Sequence, residues 1–174
     1  MDAEAAPPLV LAVAYWLHML ATVIWVGGLA SLALIVLPAA QRSLDARAYS
    51  TLLARLQLRL QQMGWFCLAV LGVTGMFQMS SHPAYGGFLS ISNNWAIAIF
   101  TKHLVIGLMV VVSAYVTWGI LPVLRRLALL RAAGRDVPEE HIHRLEQRET
   151  WMLRLNLLLS ALILLLTALA RSFS

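Results

Sequence analysis

Four apolar runs, at about residues 9–37, 63–80, 95–121 and 150–170, set the limits on what this chain can fold into, and none of them contains an Asp or a Glu. A run of about 18 or more mostly apolar residues is long enough to cross a hydrocarbon layer as a helix, which satisfies its own backbone polar groups. Composition agrees: 60% of the residues are apolar and 12% charged, against about 25% charged in an ordinary soluble domain. A water-soluble globule is thereby excluded. The expected fold is all-α, a polytopic four-transmembrane-helix bundle forming one domain over residues 1–174, with amphipathic extensions on the cytoplasmic side.

Local signals place the boundaries. Pro38 is expected to close the first span and Pro122 the third, because an imide nitrogen cannot continue the helical ladder. Ala46 to Gln62 is amphipathic, with Leu52, Leu53, Leu56 and Leu60 on one side and Arg55, Arg59 and Gln62 on the other, and it runs into the second span. A turn-rich segment from Ser81 to Gly87 follows, then Trp95 at an interfacial position. Gly134 ends the extended third helix, and Asp136-Val137-Pro138-Glu139 resembles a capping box that starts the last one. The segment Met1 to Pro8 is short and acidic. The apolar run after it is about twice the length of a signal-peptide core, so it reads as a retained span.

The net charge of +5 comes from loops and calls for no nucleic-acid partner. Arg42, Arg47, Arg55 and Arg59 follow span one, and Arg125, Arg126, Arg131, Arg135, Arg144 and Arg148 follow span three, whereas the other side carries only Arg171. By the positive-inside rule both termini face outward, the periplasmic side of a bacterial inner membrane, and the Arg-rich loops face the cytoplasm. Spans one and three then run in the same direction.

Ionisable groups inside spans are costly and mark functional positions. His18 lies nine residues into span one, and His103 nine residues after Asn94. A rise of about 1.5 Å per residue puts both imidazoles roughly 14 Å below the outer surface on parallel helices. Two such nitrogens could take the two axial positions of a haem iron. Gly107, Val110 and Ala114 share the His103 face, while Thr22 and Trp25 share that of His18, and Gly27 and Ser31 form a small-xxx-small pair suited to a porphyrin or to close helix packing. Hydrogen bonding across helices is the plainer role of an intramembrane histidine. Lys102, the only lysine in the chain, has no carboxylate at its depth. Its roles are to bind a propionate or other acidic group, to transfer protons, or to pair structurally.

Copper is the alternative metal. Met76, Met79 and His82 lie at the outer end of span two, and thioether and imidazole donors suit Cu(I). His141 and His143 read as a solvated or headgroup-facing surface, while Arg154 and Asn156 snorkel or cap internal packing. Cys67 has no partner cysteine. Hydrolase, primary-pump and iron–sulfur chemistry lose ground: the sequence has no phosphate-binding glycine loop, no Ser-His-Asp set with a buried acid, no paired intramembrane carboxylates and no cysteine cluster.

Trp16-Leu17-His18-Met19-Leu20, with Ile24-Trp25-Val26-Gly27-Gly28, resembles the first span of the copper-resistance-D (CopD) type membrane domain. The third span, with Lys102, Leu104-Val105, Pro122 and Arg126, is similar to that group too. More distantly the chain resembles the HemJ-type protoporphyrinogen oxidases, four-helix membrane proteins with an intramembrane His in the first span and Lys in the third; those positions here are His18 and Lys102. Leu29-Ala30-Ser31-Leu32-Ala33-Leu34 replaces the Arg- and Tyr-rich continuation of that second group, and His103 lies outside the shared pattern. The resemblances imply copper uptake or tolerance, or porphyrinogen oxidation. The residues themselves point to a b-type haem protein with a redox or haem-handling role in the lipid bilayer, acting alone, as a homo-oligomer or within a larger membrane complex. A cofactor-free accessory subunit of a respiratory or photosynthetic complex is the remaining alternative.

Overall fold

The computed structural model describes residues 7–83, 85, 87, 93–135 and 137–173, without the side chains of 46, 47, 50, 54, 58 and 132. Most of the acidic N-terminal segment, Ala84 and Gly86 of the turn-rich segment, Asp136 of the capping box and the Arg47 side chain thus lie outside the described residues. Four helical rods account for nearly everything described, and no strand occurs among these residues.

The first rod is continuous from Pro8 to Ser43: α1 (Pro8–Ser31) passes through a π-helical turn (Leu32–Val36) into α2 (Leu37–Ser43). Pro38 is expected to stop this helix and does not. In the π turn the Leu37 amide bonds to the Leu32 carbonyl, five residues back. This resets the ladder just before the residue that lacks an N–H, and Pro38 falls in the first turn of α2, where an amide is not required. The third rod repeats the device. Between α4 (Asn94–Ala114) and α5 (Leu121–Ala132), the π segment Tyr115–Ile120 directs the Leu121 amide to the Val116 carbonyl, and Pro122 follows without a break.

The second rod, α3 (Ala46–Ser80), is a single helix that joins the amphipathic stretch to the second span; the Asp45 side chain caps it by accepting from the Ala48 amide at 2.7 Å. Its Leu53 is buried and Arg55 and Arg59 exposed, as the spacing predicts. The last rod, α6 (Glu139–Ser172), starts at Glu139 with Pro138 before it and no side-chain cap. Glu139 therefore opens the helix and does not stand three residues in, as the capping box requires; its carboxylate pairs with Arg131 across the turn. Gly134 ends α5 with φ of +73°, the Arg135 amide reaching the Leu130 carbonyl and the Gly134 amide that of Arg131. A side chain in this left-handed conformation costs about 1–2 kcal/mol. Gly134→Ala should accordingly lower the thermal midpoint in detergent by a few degrees.

α1 packs antiparallel on α3, and α4 antiparallel on α6, with α1 also against α6. At the end of the bundle that holds the chain termini Met79, Trp95, Ala96, Ala98 and Ala170 form a buried layer. Met109, Val112 and Leu159 fill the middle, and Leu32, Leu37 and Leu53 the end opposite the termini. Trp95, expected at the interface, is only 7% exposed because α6 and the end of α3 close over it. Large apolar side chains such as Leu9, Phe66, Val73, Trp118 and Leu158 point outward, which is favourable where the surrounding solvent is hydrocarbon. All four rods are long and apolar enough to span a membrane. The chain is a multi-pass membrane protein built as an all-α four-helix bundle.

Candidate functional site

His18 is fixed by the helix opposite. Thr74 on α3 donates its hydroxyl to the Val70 carbonyl at 2.6 Å, so its oxygen lone pairs accept the imidazole Nδ1–H at 2.8 Å. That bond assigns the proton to Nδ1 and the lone pair to Nε2, and holds the ring in one orientation. Gly75 lies beside the ring. A Cβ at Gly75 would stand 3.2 Å from His18 Cε1, so the absent side chain is what lets the imidazole sit against α3. Thr22, one turn along, bonds the His18 carbonyl at 2.8 Å.

Lys102 projects from α4 to within electrostatic reach of the His18 ring. Lys102 is half-buried, and neither ion pair found among the described residues involves it. The neighbouring His103 places its Nδ1 2.7 Å from the Ile99 carbonyl in the preceding turn, which again puts the proton on Nδ1 and the lone pair on Nε2. Gly107 is exposed and a Cβ there would touch nothing within 4 Å, as at Gly27. Both glycines, together with exposed Ser31, thus lie on outward faces of the bundle. In the half of the bundle that holds the chain termini, His18 is bound to Thr74 across α1 and α3, while Lys102 and His103 are neighbours on α4.

Trp25, expected on the His18 face, belongs to a second centre nearer the end opposite the termini. The edge of its ring points at Gly64, where a Cβ would come within 2.1 Å of Cζ3. Beside it is a cavity of about 120 Å³ between all four rods, lined by apolar residues including Ile24, Leu29, Leu32 and Leu153 and by Gln57, Ser113, Glu149 and Asn156. Glu149 is 1% exposed. Neither of its carboxylate oxygens has a hydrogen-bond partner among the described residues, and the same holds for Asn156 Oδ1, Gln57 Nε2 and Trp25 Nε1. Asn156 spends its amide group on Ser113 Oγ at 3.0 Å.

Glu149 stands one residue beyond the fourth apolar run and so reads as its hydrophilic border. The signal that could have found it is the stripe Glu149, Leu153, Asn156 and Ser160, at i, i+4, i+7 and i+11, which puts three polar groups on one face of an apolar helix. Asn156 lies inside, whereas Arg154 is exposed.

The three copper candidates take different environments. Met79 is buried in the layer with Trp95 and Ala170, Met76 is 59% exposed, and the His82 ring stacks on Trp95 with centroids 4.3 Å apart. Among the described residues no group of three or more His, Cys, Asp or Glu gathers to hold a metal ion. Cys67 is buried with a free thiol. His143 meets Gln147 at 2.8 Å on the exposed face of α6. Compared with protein-family models, curated proteins and solved structures, the chain finds no match.

Proposed function

We propose that this protein binds a b-type haem or related porphyrin in the outer half of its bundle and serves a redox or haem-handling role in a bacterial inner membrane, with both termini on the periplasmic side. One observation carries the reading: the His18 imidazole, inside a membrane bundle, has its Nδ1–H committed to Thr74 and its Nε2 lone pair available for ligation, with the lone lysine of the chain within electrostatic reach. A histidine whose second nitrogen is tied to a fixed acceptor is a pre-oriented and more basic iron ligand. Lys102, a cation with no carboxylate among its described partners, suits a porphyrin propionate. His103 is the candidate for the second axial position. The HemJ-type resemblance implies the same His and Lys pair. The asymmetry of charge, with Arg-rich helix ends at the α2–α3 and α5–α6 turns, supports the orientation.

The visible spectrum of detergent-purified protein, oxidised and dithionite-reduced, with metal analysis alongside, tests this function. Soret and α bands with iron support it; copper without a porphyrin spectrum favours copper handling, and a colourless, metal-free protein favours an accessory role. A finer prediction follows from Gly75. Gly75→Ala should press on Cε1, next to the ligating nitrogen, and so weaken haem retention or shift the α band. Gly72→Ala, where a Cβ meets nothing within 4 Å, should leave both unchanged. Haem titration of the two variants side by side checks this, and equal behaviour would count against ligation by His18.

A further inference from the structure

The inner cavity has no part in haem ligation, yet its chemistry is specific. We propose that it is a binding site for a small organic ammonium compound, whose cationic head is held by Glu149 and Asn156 and whose apolar body fills the space among Ile24, Leu29, Leu32 and Leu153.

Charge is the first argument. Glu149 is 1% exposed, lines the cavity and has no hydrogen-bond partner among the described residues for either oxygen. Burial is the main influence on it, and among the described residues the charged group that acts on it is Glu146, another carboxylate, which does not offset its charge. A buried carboxylate left this way is driven to take up a proton unless a cation meets it. Asn156 Oδ1, also unpartnered, adds a third acceptor, and its orientation is set because its Nδ2 is already given to Ser113.

The remaining chemistry selects among cations. A bare metal ion requires a shell of oxygens, whereas Trp25 Nε1 and Gln57 Nε2, two of the five unpartnered atoms, are N–H donors. A proton alone would neutralise Glu149 and leave both donors unmet. An ammonium compound carrying an ether or hydroxyl oxygen can donate to the three acceptors and accept from Trp25 and Gln57. Size fits as well, since about 120 Å³ is slightly less than the roughly 150 Å³ of an engineered apolar cavity that admits benzene. Apolar walls with a few convergent polar groups are the usual make-up of a small-molecule site.

The experiment measures binding of butylammonium, 2-methoxyethylammonium, 1-butanol and sodium ion to the detergent-purified full chain, by thermal shift and by the fluorescence change of Trp25, with Trp25→Phe identifying that signal. Wild-type protein should bind the two ammonium compounds about tenfold or more tighter than 1-butanol, the discrimination expected of charge-assisted hydrogen bonds. Glu149→Gln, which keeps the shape and removes the charge, should abolish that preference. Equal binding of butanol and butylammonium, a response to sodium ion alone, or no response to any probe overturns the proposal. The wild-type selectivity stands as a test by itself if Glu149→Gln fails to fold, and haem content does not enter it.

Discussion

Gly64→Ala should destabilise the bundle by about 3 kcal/mol or more, a fall of roughly 10 °C in the thermal midpoint. A methyl group at this position would lie 2.1 Å from Trp25 Cζ3 and about 3 Å from two further ring atoms. Such overlap cannot be relieved by a small rotation, because the ring is held between Gly64 on α3 and the buried cluster of Met109, Val112 and Leu159. Either the indole leaves its rotamer or the helices separate, and both sacrifice buried contacts. The effect should depend on the indole. In a Trp25→Leu background the same substitution should cost much less, giving a coupling energy of about 1–3 kcal/mol in the double-mutant cycle. Gly72 provides the contrast on the same helix: with open space around it, alanine should be neutral or gain up to about 1 kcal/mol from helix propensity. Thermal unfolding of the four variants in one detergent decides the matter. A Gly64→Ala protein as stable as wild type would mean that Trp25 does not pack on α3 in this way.

Much of this fold is legible in the sequence because in a bilayer backbone satisfaction leaves a helix little competition. The four apolar runs, the entry of the amphipathic stretch into α3 and the termination at Gly134 all follow from local chemistry. The prolines do not. Whether Pro38 and Pro122 break a helix depends on a π turn just before each, and no residue in Leu32–Val36 or Tyr115–Ile120 announces one. Packing decides it, since Leu32 and Leu37 on one rod and Ile120 and Leu121 on the other are buried when the helix continues.

The sites divide along similar lines. Counting residues down two parallel helices puts His18 and the Lys102–His103 pair at one depth, and all three side chains are half-buried in the bundle. Depth counting is blind to rotation about the helix axis, however. Met76 and Met79, three residues apart, differ enough in direction for one to face out and the other to lie in the core. Trp25 is on the side of α1 that faces α3, but two turns below His18 it serves the inner cavity. Glu149 is missed for another reason: hydropathy treats a charge as the end of a span, and only the convergence of α1, α3, α4 and α6 shows that this one is enclosed.

The central claim is that His18 ligates a haem through Nε2 while Thr74 holds Nδ1. Removing the imidazole should remove the cofactor, since the four apolar runs contain no Asp or Glu to take the place of a ligand lost inside the bundle. Thr74→Val should have a milder effect, retaining iron ligation but loosening the ring and lowering the basicity of Nε2; weaker retention by about tenfold is the expected scale for losing such an outer partner. His82→Ala, at the Trp95 stack, is the control that removes an imidazole without touching the site. The most direct measurement is haem per polypeptide, by alkaline pyridine difference spectrum, in wild type, His18→Ala and His82→Ala purified from the same membranes. The account predicts near-stoichiometric haem in wild type and His82→Ala with a loss of about tenfold or more in His18→Ala. Equal haem in all three, or none in wild type, would contradict it.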